Sequence, residues 1–500
     1  MKDNLTQKTL KAINTQNTEY WKRIKEHEAL KLFHSVATRV PAYKDFLKKH
    51  HIAHEKIKNF KDFQHVPLAN KNNYLREYPV EALSWDGTIK KSLVFTATSG
   101  STSEPFYFHR DVNLDWQYSI ILEKYLKNKH NQGPTLVIIC LGMGVWIGGL
   151  ITYQAFQYVS QRGKYPLSLL TPGTNKKEIF SSLKNIAPHF KQIILCGYPP
   201  FIKDIIDEAP LHGIELSSLP LRFLFAAESF TENFRDYLAE KTGMKNLFLD
   251  TMNIYGSADI GAMGFETPLS ILLRREALKN NSIFDRLFSS HNKTPTLAQY
   301  IPSFICFESI SGEIVLTGKN SLPLVRYAIG DSGGVFDASE AGPLFENEGI
   351  DIKKIAKKEG IASTFTELPF VYIYERSDFS TKLYGAIVFP EHVKSGLITK
   401  ELASFVTGKF TMITRTDKNQ DSYLEINIEL KPGIFPDKTL KKSVTTSVII
   451  SLRKRSTEYE NNFLQNPKRM TPKIVFWSHE NKTHFQTGIK QQWVKKAQPQ

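Results

Sequence analysis

The sequence predicts an α/β protein: a large N-terminal domain on mixed, largely parallel sheets, followed by a small α+β C-terminal domain. Three observations carry this. Short apolar runs at 93–96, 136–141, 167–170, 192–196, 221–226 and 246–254 alternate with amphipathic stretches at 147–161, 175–186, 199–208 and 230–241, the rhythm of strand–helix–strand units. The 500 residues are 41% hydrophobic and 23% charged, a globular balance. At roughly 150 residues per domain, that length suggests two to four units with a sizeable core.

In chain order, residues 1–60 are mostly helical and polar, with Lys and Glu at helical spacing. The segment 135–156, TLVIICLGMGVWIGGLITYQAF, has the length and lack of charge of a membrane span. It reads instead as a β-branched strand over Val137–Leu141, broken by Gly142 and Gly144, with a helix starting near Gly148. After residue 310 the chain turns strand-rich (GEIVLTG, LPLVRYAIGD, PFVYIYE). In the last 120 or so residues, Asp421–Leu430 reads as a strand, Lys438–Lys454 as a helix and Lys473–Trp477 as a strand.

Lys and Arg number 65 against 50 Asp and Glu, a net +15, which favours anionic ligands such as nucleotides. The surplus is dispersed, with no arginine-rich run, so nucleic acid is not expected as a partner. Cys140, Cys196 and Cys306 each sit in an apolar run without zinc-type spacing, the pattern of buried reduced thiols in a cytoplasmic protein. MKDNLTQKTL has no apolar core, so no signal peptide is expected.

FTATSGSTSEPFYF, residues 95–108, sets a hydroxyl-rich loop between two apolar ends. Thr96, Thr98, Ser99, Gly100, Ser101, Thr102 and Ser103 offer hydroxyls and close-approaching amides to a polyphosphate. It is not a Walker loop, and taken alone it reads equally well as a polar hairpin. Three further segments bear on it: LFAAESFTENFRDYLAEKTG (224–243) with NIYGSADIGAMGF (253–265), GEIVLTGKNSLPLVRYAIGDSGGV (312–335), and YERSDFSTKLYGAIVFPEHV (374–393).

The order and spacing of these segments resemble the adenylate-forming enzyme superfamily, and within it the phenylacetate–CoA ligase (CapK-like) branch. RVPAYKDFLKKHHI, FQHVPLANKNNYLREYP, LGMGVWIGGL and ILCGYPPFIKDIIDEA extend the likeness across most of residues 35–395. The resemblance implies ATP-dependent activation of a carboxylic acid to an acyl-adenylate with release of pyrophosphate. Transfer to a thiol follows, coenzyme A being the expected co-substrate, with a carrier protein or an amine as alternatives. It implies an adenylation domain over 1–377 and a mobile cap over 378–500, hinged at Asp378. Thr98, Ser99, Gly100, Ser101 and Thr102 would hold the β and γ phosphates. Ala226, Ala227 and Glu228, with Asn253, Ile254 and Tyr255, would surround the adenine, Gly256 and Ser257 would also bind ATP, and Asp331 would accept the ribose hydroxyls. Gly142, Trp146, Gly148 and Tyr198 would line the acid pocket. Arg376 would approach the nucleotide as a fixed cation, Asp259 would take Mg²⁺, and Lys490 would be the catalytic lysine, with Lys482 and Lys495 as competitors. Without the resemblance, Asp331 reads as a turn residue, Tyr255 as a half-buried sheet residue, Arg376 as a surface ion pair and Trp146 as core.

Three departures stand out. Ser103-Glu104-Pro105 replaces Gly-Lys-Pro and adds negative charge beside the expected phosphates. Tyr255-Gly256-Ser257-Ala258-Asp259 stands for Tyr-Gly-x-(Ser/Thr)-Glu, losing a hydroxyl and shortening the carboxylate. Ile489 takes the glycine position before Lys490. These changes sustain a rival expectation, a nucleotide-binding regulator that has lost the ligase reaction. No structural metal is expected.

Overall fold

Among the described residues, eighteen strands in two compact units organise the chain. The structure is a computed structural model that describes residues 2–90, 93–97, 106–129, 133–144, 147–288, 294–376, 380–479, 481 and 484–485; at 2, 3, 147, 375 and 376 it describes the backbone only. The first unit lies within Met1–Thr96, Tyr107–Gly197 and Ile206–Tyr374, the second within Ala97–Phe106, Tyr198–Ile205 and Glu375–Gln500.

In chain order the strands of the main body are β1 (Val94–Ala97), β2 (Tyr107–Arg110), β3 (Thr135–Cys140), β4 (Leu167–Leu170), β5 (Gln192–Gly197), β6 (Leu221–Ala226), β7 (Thr251–Ser257), β8 (Gly261–Phe265), β9 (Thr296–Gln299), β10 (Ile305–Ile310), β11 (Glu313–Gly318), β12 (Leu324–Phe336) and β13 (Phe370–Arg376). β1 and β2 form a hairpin, and the other eleven make one mixed sheet in the order β10-β11-β12-β13-β9-β8-β7-β6-β5-β3-β4. From β4 to β7 the neighbours run parallel. Their fully buried sequences, such as LVIIC and IILC, need cover on both faces, and the intervening helices give it. From β7 to β9, and again over β10–β12, neighbours are antiparallel.

The 135–156 segment divides as expected: β3 ends at Cys140, a glycine turn follows, and a helix runs from Ile147 to Gln161. Gly149 donates its N–H to Gly142 O at 3.2 Å, and a Cβ on Gly149 would lie 2.4 Å from that oxygen, so the turn folds flat on the helix start. Among the described residues, no helix is long and apolar enough to cross a membrane. The three cysteines are buried and unpaired, and burial pushes the Cys306 thiol up to about 12. The apolar run 246–254 splits into a helical turn, Leu247–Asp250, and β7.

The second unit has a hairpin, β14 (Thr381–Leu383) with β15 (Ala386–Val388), and a sheet of β16 (Val406–Thr416), β17 (Ser422–Leu430) and β18 (Lys473–Trp477). Helix Lys438–Arg455, capped by Asp437, packs closely on helix Pro390–Leu397. A Cβ on Gly396 would come within 2.7 Å of Val448 Cα, so only glycine permits that spacing. This unit also holds a charged cluster around the buried Asp204 and Lys203. Asp204 accepts from Tyr384 at 3.1 Å and Asn466 at 3.0 Å and pairs with Arg469 at 2.9 Å. Asp421 pairs with Lys203 at 2.6 Å and Arg469 at 2.8 Å. Burial alone would raise the Asp421 carboxyl; the two cations outweigh it and hold it below the usual range.

Candidate functional site

The C-terminal ends of β6 and β7 meet in the first unit. β6 ends in Ala226, and Ala227 turns the chain with φ +72°, a conformation costly for a residue with a Cβ. That turn presents the Glu228 carbonyl to Asn253 on β7, which donates Nδ2–H to it at 3.2 Å. Asn253 is 3% exposed, yet its Oδ1 finds no hydrogen-bond partner among the described residues. A buried carbonyl left without a donor is costly unless a ligand supplies one.

Beneath β7, Asn253 N–H donates at 2.9 Å to Glu266, which takes both its oxygens to Arg235 at 2.9 Å. Glu232, Arg274 and Arg275 extend this buried network. It fixes the strand end that carries the site.

Two residues along β7, the half-buried Tyr255 stacks on Phe307, with centroids 6.0 Å apart and planes 28° from parallel. Its hydroxyl donates to Asp331 Oδ2 at 2.7 Å. Asp331 sits on β12, half-buried, and Oδ1 has no described partner. The pair therefore offers an oriented carboxylate oxygen beside an aromatic face, suited to hydroxyls carried by a flat ring system.

β7 and β8 are joined by a tight turn. A Cβ on Gly256 would lie 2.8 Å from Gly261 O, and the register shifts between Tyr255 and Gly256. Within the turn, Asp259 N–H donates to Ser257 Oγ at 3.2 Å. Asp259 is 3% exposed; Oδ2 accepts from the Tyr327 hydroxyl at 2.8 Å and Oδ1 faces Lys71 Nζ at 3.4 Å. Lys71 is held there by a local device. Ala69 forms a parallel bridge with Tyr327, exchanging bonds with Arg326 O at 3.0 Å and Ala328 N at 2.8 Å. Asn70 then caps the turn Lys71–Leu75.

This turn fits a divalent ion poorly. Both carboxylate oxygens face donors, and no group of three or more His, Cys, Asp or Glu side chains that could hold a metal occurs among the described residues. A divalent cation ~4 Å from the Lys71 ammonium would be repelled by about 8 kcal/mol at an effective dielectric constant near 20.

The structure thus brings together Ala227, Glu228, Asn253, Tyr255, Gly256, Ser257, Asp259 and Asp331 in one unit. Gly142 and Gly148 lie in that unit, in the turn after β3 and in the first turn of the helix from Ile147, whereas Tyr198 falls in the second unit, its ring against Gly385. Arg376 ends β13. Thr98, Ser99, Gly100, Ser101, Thr102, Glu104, Trp146, Asp378, Lys482, Lys490 and Lys495 lie outside the described residues. Lys71 has no local signal in the sequence: its partner stands 188 positions later, and the Ala69–Tyr327 bridge helps to bring the two segments together.

No family model matches the chain, and no curated protein matches it. Solved structures do. A 2-hydroxyisobutyryl-CoA ligase, in complex with 2-HIB-AMP and CoA in the thioesterification state, aligns over 97% of this chain and 91% of its own, with TM-score 0.63 and 12% identity. The chain has the fold of an adenylate-forming CoA ligase. An open conformation of the same ligase, also with 2-HIB-AMP and CoA, aligns over 95% and 91% with TM-score 0.52 and 14% identity. The alignment runs through both units, so the adenylate-forming fold accounts for the second sheet as well as the first.

Proposed function

We propose that this chain activates a carboxylic acid with ATP and passes the acyl group to a thiol, that of coenzyme A. The observation that carries the reading is the row Asn253–Tyr255–Asp331: a buried acceptor without a described donor, a stacked ring and an oriented carboxylate on adjoining strand ends. An adenine amino group would satisfy Asn253 Oδ1, and ribose hydroxyls would donate to Asp331. The ligase that shares the fold holds an acyl-adenylate and CoA, which supports the same pairing of ligands here.

In the first half-reaction an oxygen of the substrate carboxylate attacks the α-phosphorus, and the bond to pyrophosphate breaks. In the second, the thiol sulfur bonds to the acyl carbon, the bond to AMP breaks, and the thiol proton is lost. Two anions must meet in the first step, so positioning and fixed cations supply much of the rate. We assign the triphosphate to the loop Thr98–Thr102, the approaching cations to Lys490 and Arg376, and the acid to Gly142 and Gly148 with Trp146 and Tyr198. The domain from 378 onward would turn about Asp378 between the half-reactions. The N-terminal segments favour the phenylacetate–CoA ligase branch and thus an aryl or short acyl acid.

Pyrophosphate release from ATP, measured against a panel of aryl and acyl acids, tests this. Release with at least one acid, followed by a CoA thioester, is expected. ATP binding with no release for any acid would favour the regulator reading, to which Glu104 and Ala258 lend weight.

A further inference from the structure

The poor fit of a metal at Asp259 points to what stands in its place. Lys71 Nζ lies 3.4 Å from Asp259 Oδ1, while Tyr327 donates to the other oxygen at 2.8 Å. The Asp259 side chain is 4% exposed and that of Lys71 is 24% exposed. The ammonium therefore has its carboxylate partner on the buried side and a remaining open face. An ammonium carries three donors, and among the described residues Asp259 is the one ion-pair partner this one meets. The lysine is not a chance surface residue. The Ala69–Tyr327 bridge ties its backbone to the same strand that supplies the Tyr327 hydroxyl, so both groups reach Asp259 from one rigid element.

We propose that Lys71 is the cation of this turn: a phosphate-bearing ligand meets an ammonium at Asp259, with no metal ion between them. Asp259 is then a positioning residue that aims Lys71, rather than a metal ligand. The inference rests on the nucleotide reading in that it takes the phosphate to belong to ATP. A flexible four-carbon stem with a compact charge suits a phosphate oxygen, and the carboxylate behind it keeps the ammonium pointed.

The test is calorimetric titration of ATP into the full-length protein, once with excess Mg²⁺ and once with EDTA, on the wild type, Lys71→Gln, Lys71→Arg and Asp259→Asn. The expected result is wild-type affinity that changes less than about threefold between the two buffers. Lys71→Gln should lose at least about tenfold in EDTA and regain part of it with Mg²⁺. Lys71→Arg should keep most of the EDTA affinity, which guards against reading a folding defect as a lost contact. Wild-type binding that vanishes in EDTA, together with loss of the Mg²⁺-dependent part in Asp259→Asn, would overturn the proposal and leave the nucleotide reading standing. ATP bound in neither buffer would overturn both. Electron paramagnetic resonance of Mn²⁺ added to the nucleotide-free protein gives an independent reading. A bound Mn²⁺ signal present in the wild type and absent in Asp259→Asn would also overturn it.

Discussion

Replacing Glu266 with Gln should cost the first unit about 3–5 kcal/mol. Glu266 is fully buried and holds both oxygens on Arg235 at 2.9 Å, with Arg274 at 3.4 Å. Glu232 shares those two arginines and also meets Arg275. The substitution keeps an acceptor for Asn253 N–H but leaves two buried guanidinium groups on one buried carboxylate. Breaking a buried pair by neutralising one partner has a cost of about 3–5 kcal/mol, because the surviving charge is stranded. At about 2 °C per kcal/mol for a large unit, the unfolding midpoint should fall by roughly 6–10 °C. Burial alone would raise the Glu232 carboxyl; the three arginines outweigh it and hold it below its ordinary value. That stability is present above the unfolded-state pKa of about 4.3 and is lost as pH falls through the depressed folded value. The assay is thermal and urea unfolding at pH 7, with Arg235→Met/Glu266→Leu as the second arm. Removing both partners should cost less than removing Glu266 alone. A Glu266→Gln protein within about 1 kcal/mol of wild type would refute the reasoning.

Tyr255→Phe removes the donor that orients Asp331 and should weaken AMP binding by about three- to tenfold, as one hydrogen bond of roughly 1 kcal/mol would; calorimetry reads it. Gly396→Ala places a methyl 2.7 Å from Val448 Cα and should cost the second unit about 1–3 kcal/mol, with the first unit's unfolding unchanged, as resolved by hydrogen exchange. His392 is 4% exposed; burial first, and the Arg455 charge second, bring it down to about 4. The folded state therefore resists a proton that the unfolded chain accepts below about pH 6.5, so stability falls as pH drops, by about 2 kcal/mol between pH 7 and pH 5. His392→Gln should flatten that slope in urea titrations.

Much of the architecture was legible because it is local. Strands such as β3 and β5 announce themselves as continuous apolar runs, and helix Glu232–Thr242 by its amphipathic spacing. The run 246–254 was harder: an apolar stretch carries no period, and the Asn246 cap turned its first part into helix. Asn253, Tyr255 and Asp331 came from motif order, but the hydrogen bond joining Tyr255 to Asp331 spans 76 positions and has no local signature. Lys71 and the Arg235–Glu266 network lay out of reach for the same reason. Their partners are chosen by sheet order, which places β12 and β7 according to the whole fold rather than any one segment.

The measurement that bears most directly on the account is calorimetric titration of AMP into the full-length protein and its Asp331→Asn variant. The account predicts binding to the wild type, and affinity at least about tenfold weaker in the variant with its unfolding midpoint unchanged. No heat from AMP in the folded wild type, or equal affinity in both proteins, would contradict it.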